Sequence, residues 1–352
     1  MKIILSGGGT GGSVTPLISI YQAIKKIDPE AEFVWVSPYN DPVKELIARL
    51  DIKVINIFSG KLRRYFSWRN FIDPIFIFLG FIQSKMIIKK FQPDWLISAG
   101  SFVSVPLIKS AGKRTKVLIH QQDVIPGLAN KLMAQKATVI TVALQRSVKD
   151  FDSSKTRLVG NPVRPEIFAA NRQAAIKLFD LNENLKTVLF VGGGTGAANL
   201  NKIIFESVPE LIKFCQIIHL TGGKIKETYN HPNYKQFDFL TDQLKDALAV
   251  ADLVISRAGM GFLTELAALK KPTLIVPMPN SHQEANAQEF YKNNAAAVIS
   301  EKGLTSEKLI LSIKSLLRDQ VQLENYSRNM AKVLKTDAAE VIAKIIYERY
   351  QP

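Results

Sequence analysis

The sequence predicts an α/β protein built from two Rossmann-like halves, each a doubly wound parallel sheet. Two observations predict it. An apolar strand from Met1 to Leu5 enters Gly7-Gly8-Gly9-Thr10-Gly11-Gly12 and then Pro16 to Lys26, which has the apolar spacing of a helix. The pattern then restarts: Thr187 to Val191 enters Gly192-Gly193-Gly194-Thr195-Gly196-Ala197, and a helix with Leu200, Ile203, Ile204 and Val208 follows. Asn161-Pro162 marks the break, giving halves of 1–162 and 163–352, with a last helix, about 338–352, placed to return to the first half.

In the first half, strands are expected at Glu32 to Val36, Lys53 to Ile57, Trp95 to Ser98, Lys116 to His120 and Val139 to Val142, each followed by turn residues or helical spacing. In the second they are expected at Gln216 to Leu220, Gln236 to Phe239, Leu253 to Ser256 and Thr273 to Val276, with a helix over Gly261 to Leu269. Strands alternating with helices imply parallel sheets.

The chain has 352 residues, 47% hydrophobic, enough for two cores. Its single cysteine, Cys215, excludes an internal disulfide, and MKIILSGGG reads as strand and turn rather than a cleavable leader, so the cytoplasm is the expected compartment. A net charge of +15 suggests an anionic partner without choosing among lipid, nucleic acid and phosphorylated metabolite. The most apolar run, Phe71 to Ile82, is short and interrupted by Asp73 and Pro74, against the ~20 residues a membrane span needs.

Both glycine loops fit a dinucleotide fingerprint. Neither second strand ends in the carboxylate that would hold a nicotinamide cofactor's ribose: the residues are Trp35-Val36-Ser37-Pro38 and Ile217-Ile218-His219-Leu220-Thr221. Neither loop carries the Lys-Ser/Thr pair of an ATPase P-loop. What remains is a helix N-terminus suited to a pyrophosphate, or glycines that serve tight packing. After Arg257-Ala258-Gly259, Glu265 stands where a carboxylate can accept from both ribose hydroxyls; complementing the helix dipole is the alternative. The polar loop Pro277 to Asn286 suits sugar hydroxyls. Asp150-Phe151-Asp152 matches an Asp-x-Asp metal pair but lies away from both loops, so a solvated helix end is expected there and no metal.

Six motifs in order resemble the MurG family, glycosyltransferase family 28: GGTGG followed by Pro16; His120-Gln121-Gln122-Asp123 with Pro126-Gly127-Leu128 and Asn130-Lys131; Gly160-Asn161-Pro162-Val163-Arg164; the second glycine loop with Asn201; Arg257-x-Gly259 with Glu265; and His282-Gln283-x-x-Asn286-Ala287. The resemblance implies a GT-B fold, with two domains facing across a cleft. It implies an inverting transfer of N-acetylglucosamine from its UDP donor to lipid I, N-acetylmuramyl-pentapeptide on undecaprenyl pyrophosphate, giving lipid II without a metal or other cofactor. By position, the Leu240 backbone and Arg164 would flank the uracil, Glu265 the ribose, Gly193, Gly194, Thr195 and Gly196 the phosphates, and Asn201, His282 and Gln283 the sugar. Thr10, Gly11 and Gly12 would border the donor, and this loop with Gln121, Gln122 and Asp123 would face the acceptor.

This chain departs from the family where the chemistry is expected. Ser13 replaces the histidine that follows GGTGG and cannot serve as a base near neutral pH, Gln121 and Asp123 replace Glu and Asn, and Gly194 replaces a serine. Asp123 is therefore the candidate general base, or else a cap for a helix beginning near Pro126. Arg63, Arg64, Trp68 and Arg69, beside the apolar run, suggest an anionic membrane surface, peripheral on the cytoplasmic face; a buried crossover helix is the alternative. Two further readings are a related transferase with another lipid-linked acceptor and a donor-binding homologue without activity. Nucleic acid has charge alone to recommend it.

Overall fold

The computed structural model describes residues 1–60, 69–193, 197–223, 225 and 227–350. The chain divides into one unit of Met1–Arg164 with Lys335–Pro352 and a second of Pro165–Leu334.

The first unit runs β1 (Lys2–Ser6), α1 (Thr15–Ile27), β2 (Glu32–Pro38), α2 (Lys44–Ala48), β3 (Lys53–Ile57), α3 (Arg69–Phe91), β4 (Trp95–Ser98), α4 (Ser104–Lys109), β5 (Lys116–Gln121), α5 (Leu128–Ala134), β6 (Val139–Val142) and β7 (Thr156–Leu158). Its strands are all parallel, in the order β3-β2-β1-β4-β5-β6-β7, so the winding reverses beside β1. The pleat sends alternate residues to opposite faces. Ile3, Leu5, Trp35 and Ile97 join one core with α1, while Ile4, Val34, Val36 and Leu96 join another with α4 and α5. Burial on both faces is why these strands are apolar throughout.

The second unit runs α6 (Arg172–Leu178), β8 (Thr187–Val191), α7 (Ala198–Leu211), β9 (Gln216–Leu220), β10 (Tyr234–Phe237), α8 (Leu244–Val250), β11 (Leu253–Ser256), α9 (Met260–Ala268), β12 (Thr273–Ile275), α10 (His282–Lys292), β13 (Ala297–Val298), α11 (Ser306–Arg318) and α12 (Gln320–Val333). Its parallel order is β10-β9-β8-β11-β12-β13. The last helix, α13 (Ala338–Glu348), returns to the first unit, where Ala339, Ile342, Ala343 and Ile346 share a core with Leu17, Ile20 and Ile24 of α1. Gly160, at φ +89°, lies so close to Lys335 that a Cβ would sit 2.2 Å from its carbonyl oxygen.

Two edge strands, β7 and β13, are absent from the sequence reading, and β10 starts two residues before its expected position. Strands of two or three residues are too short for an alternation to register. Pro74 does not interrupt its segment: α3 continues through it, from Arg69 to Phe91. A proline near a helix start removes few intrahelical bonds, and packing outweighs that loss.

Candidate functional site

In the second unit, Gly192 and Gly193 lead from β8 to α7, while Gly194, Thr195 and Gly196 lie outside the described residues. Gly193 takes φ +87°, a left-handed turn, and a Cβ at Gly192 would press on Ala197 and Asn201 at 3.1–3.2 Å. Asn201 is fully buried: its amide donates to the Thr221 carbonyl at 2.7 Å and its oxygen meets His219 Nε2 at 3.3 Å. It lies behind the loop, with both ends of its side-chain amide held by the protein.

Three segments after β11, β12 and the 277–281 loop are tied together. Gln283 Oε1 accepts from Ala258 N at 3.2 Å and Met278 N at 3.0 Å, and buried Asn286 donates to the Ala258 carbonyl at 3.0 Å. Ser281 caps α10, whose first residue, His282, is exposed. Glu265 is the sixth residue of α9 and buried, so complementing the helix dipole, which fades beyond the first turn, does not account for it. Leu240 is partly exposed in the segment after β10, and Arg164 is the last residue of the first unit before Pro165.

Sequence reasoning missed Glu301. Arg257 donates to the carbonyls of Val276 (3.1 Å) and Pro277 (3.2 Å) and to Glu301 Oε2 (2.8 Å), and Asn199 donates to Glu301 Oε1 (2.9 Å). Burial opposes the Glu301 charge, but the hydrogen bonds from Arg257 and Asn199, with the Arg257 charge, outweigh it and hold the carboxyl below the usual range. No local pattern marks a lone glutamate after a two-residue strand. A polar concavity of about 550 Å³ beside it is lined by Asn199, Glu301 and Lys302 and by Pro279, Asn280 and Glu284 of the polar loop expected to meet sugar hydroxyls, among others.

In the first unit, the glycine loop is closed from within. The N–H groups of Gly7, Gly8 and Gly9 go to Val36 O, Ser13 Oγ and Asp41 Oδ1, at 3.3, 3.3 and 3.0 Å. Ser13, 5% exposed, has the carbonyls of Gly8 and Thr10 at 3.0 and 3.1 Å as acceptors for its hydroxyl, so it is a clamp of the loop and not a group facing a substrate. Gln122 donates to the Gly12 carbonyl at 2.7 Å. Gln121 donates to the Asp123 carbonyl and accepts from Asn130 at 2.6 Å. Both Gln side chains are thus buried and bonded within the unit. Asp123 is half-buried two residues past β5, and the N-cap position of α5 is Gly127. His120 is fully buried between Thr141 Oγ1 (3.0 Å) and Asn161 Oδ1 (2.7 Å), and burial lowers its pKa to about 4. Where a solvated helix end is expected, Asp152 accepts from the Ser154 N–H and hydroxyl at 3.0 and 2.7 Å.

Residues 3–142 match the glycosyltransferase family 28 N-terminal domain and residues 187–343 its C-terminal domain. A relative in Lachnospira eligens is 37% identical over 98% of both chains, and one in Clostridium tetani is 35% identical over 99% of this chain and 98% of its own. Each is named UDP-N-acetylglucosamine--N-acetylmuramyl-(pentapeptide) pyrophosphoryl-undecaprenol N-acetylglucosamine transferase. The chain belongs to the MurG family. The fold is also that of a crystal structure of Acinetobacter baumannii MurG, 20% identical with a TM-score of 0.73 over 99% of both chains. A UDP-GlcNAc 2-epimerase from Neisseria meningitidis shares the fold at 12% identity and a TM-score of 0.70, over 99% of this chain and all of the other. These likenesses show the GT-B fold.

Within this MurG-family chain, α3 is not the buried crossover helix that the sequence left open. Ile75, Phe78, Leu79, Ile82 and Met86 are 37–66% exposed and fall within about 100° around the helix axis. Its other side packs on the protein: a Cβ at Gly80 would lie 2.0 Å from the Phe58 carbonyl oxygen, and Ser110 bonds the Phe81 carbonyl. Arg63, Arg64 and Trp68 lie outside the described residues, and Arg69 opens the helix. No helix among the described residues is long and apolar enough to cross a membrane.

Proposed function

We propose that the chain transfers N-acetylglucosamine from UDP-N-acetylglucosamine to undecaprenyl-pyrophosphoryl N-acetylmuramyl-pentapeptide, forming lipid II at the cytoplasmic face of an anionic membrane. The observation that carries this is 34–37% identity, over 94% or more of the chain, to relatives bearing that name. In this reading the acceptor hydroxyl attacks the anomeric carbon with inversion, the bond to the UDP oxygen breaks, and a base takes the hydroxyl proton. The second unit holds the donor, with the Leu240 backbone at the uracil, Glu265 at the ribose, residues 193–196 and the N-terminus of α7 at the diphosphate, and His282 and Gln283 at the sugar. Arg164 completes the uracil contacts. No metal or further cofactor is required.

The first loop faces the acceptor and borders the donor through Thr10, Gly11 and Gly12, while the N–H groups of Gly7, Gly8 and Gly9 are occupied within the unit. With Ser13 turned inward, Asp123 is the general base, which places it within about 2.6–3.2 Å of the attacking hydroxyl, directly or through one water. Asp123→Asn lowers turnover by about 10²–10⁴-fold with UDP affinity unchanged; near-normal turnover would sink the assignment. The exposed face of α3 seats the protein on lipid.

A transfer assay with UDP-N-acetylglucosamine across lipid-linked acceptors tests the whole reading. Transfer only to another acceptor makes the chain a related transferase. UDP binding without turnover on any acceptor makes it a donor-binding homologue, the reading that the inward Ser13 favours.

A further inference from the structure

We propose that Glu301 is a positioning residue for the donor site, an inference that rests on the donor lying in the second unit. One carboxylate links three segments on which that site depends. Through Asn199 it holds the first turn of α7, just past the second glycine loop. Through Arg257 it holds the end of β11, from which Gly259 and α9 carry Glu265 forward. The same guanidinium grips the carbonyls of Val276 and Pro277, where the chain leaves β12 for His282 and Gln283.

The pair is shielded from water, with side-chain exposures of 11% for Arg257 and 6% for Glu301. A desolvated pair is geometrically strict, because either charge left alone is costly. It contributes little net stability compared with apolar residues of the same volume. That contrast separates a positioning role from a structural one. The donor needs its ribose carboxylate, its diphosphate amides and its sugar contacts at fixed separations, and all three sets stand on segments that this bridge spaces.

The test uses the full chain and UDP as the probe, with affinity read by calorimetry and folding by thermal melting. Glu301→Gln, which keeps the shape and removes the charge, weakens UDP binding about tenfold or more, the scale on which a loosened supporting contact degrades a site. The paired variant Arg257→Met with Glu301→Leu removes both charges, so it folds even where Glu301→Gln does not. It remains equally weak for UDP whatever its melting temperature, whereas a purely structural bridge would return affinity together with stability. Parent-like affinity in either folded variant overturns the inference while the donor reading stands. A parent that binds no UDP overturns the donor reading and the inference with it.

Discussion

Ser13 has left the chemistry and taken up the geometry. Its hydroxyl accepts the Gly8 N–H and bonds back to the same loop, so Ser13→Ala strands a buried donor. The expected cost is about 1–3 kcal/mol of stability, read by urea unfolding; an unchanged midpoint would show that the loop holds without the clamp. The sequence makes plain that position 13 lacks a base, because that follows from the chemistry of a hydroxyl. It does not show which way the hydroxyl points, nor that Asp41 binds Gly9 across 32 positions, because such partners are set by tertiary packing. Asn201 and Gln121 are alike in this: an amide suited to binding sugar is equally suited to holding backbone, and the buried partners of both come from distant or folded-back segments that the sequence does not mark.

Among the elements, α3 divides most sharply into what was legible and what was not. Its apolar residues run nearly all round the helix, so periodicity does not say which face is covered. The structure supplies the answer through Gly80 against Phe58 on one side and Phe78 and Met86 open on the other. Phe78→Ser with Met86→Ser should reduce co-sedimentation with anionic vesicles and leave UDP affinity and melting temperature near the parent's, since neither side chain is in the core. Equal sedimentation of variant and parent would remove this face from the membrane. The glycine loops and the longer strands were legible because their signals are local, whereas β7 and β13 exist only by pairing with a neighbour.

At the scale of the molecule, the two units share a sensitivity to acid. His120 in the first and His219 in the second are fully buried, and burial lowers each from 6.5 to about 4, with the Asn161 hydrogen bond partly opposing this at His120. A folded-state pKa below the unfolded one means that the unfolded chain takes up the proton first. The stability is therefore complete above pH 6.5 and is lost as the pH falls from 6.5 towards 4. At pH 5 each histidine costs its unit about 2 kcal/mol relative to pH 7. Urea unfolding at the two pH values measures this, and equal midpoints would contradict the burial of both rings. The duplication of the fold was readable in the repeated glycine loops, but the return of α13 to α1 puts the two ends of one core more than 300 residues apart. Synthesis runs from the N-terminus, so the second sheet leaves the ribosome before the helix that finishes the first. Maturation thus reverses the order of translation. A premature stop just after residue 335 would spare the nearby unit and leave Leu17, Ile20 and Ile24, at the far end of the message, without their cover.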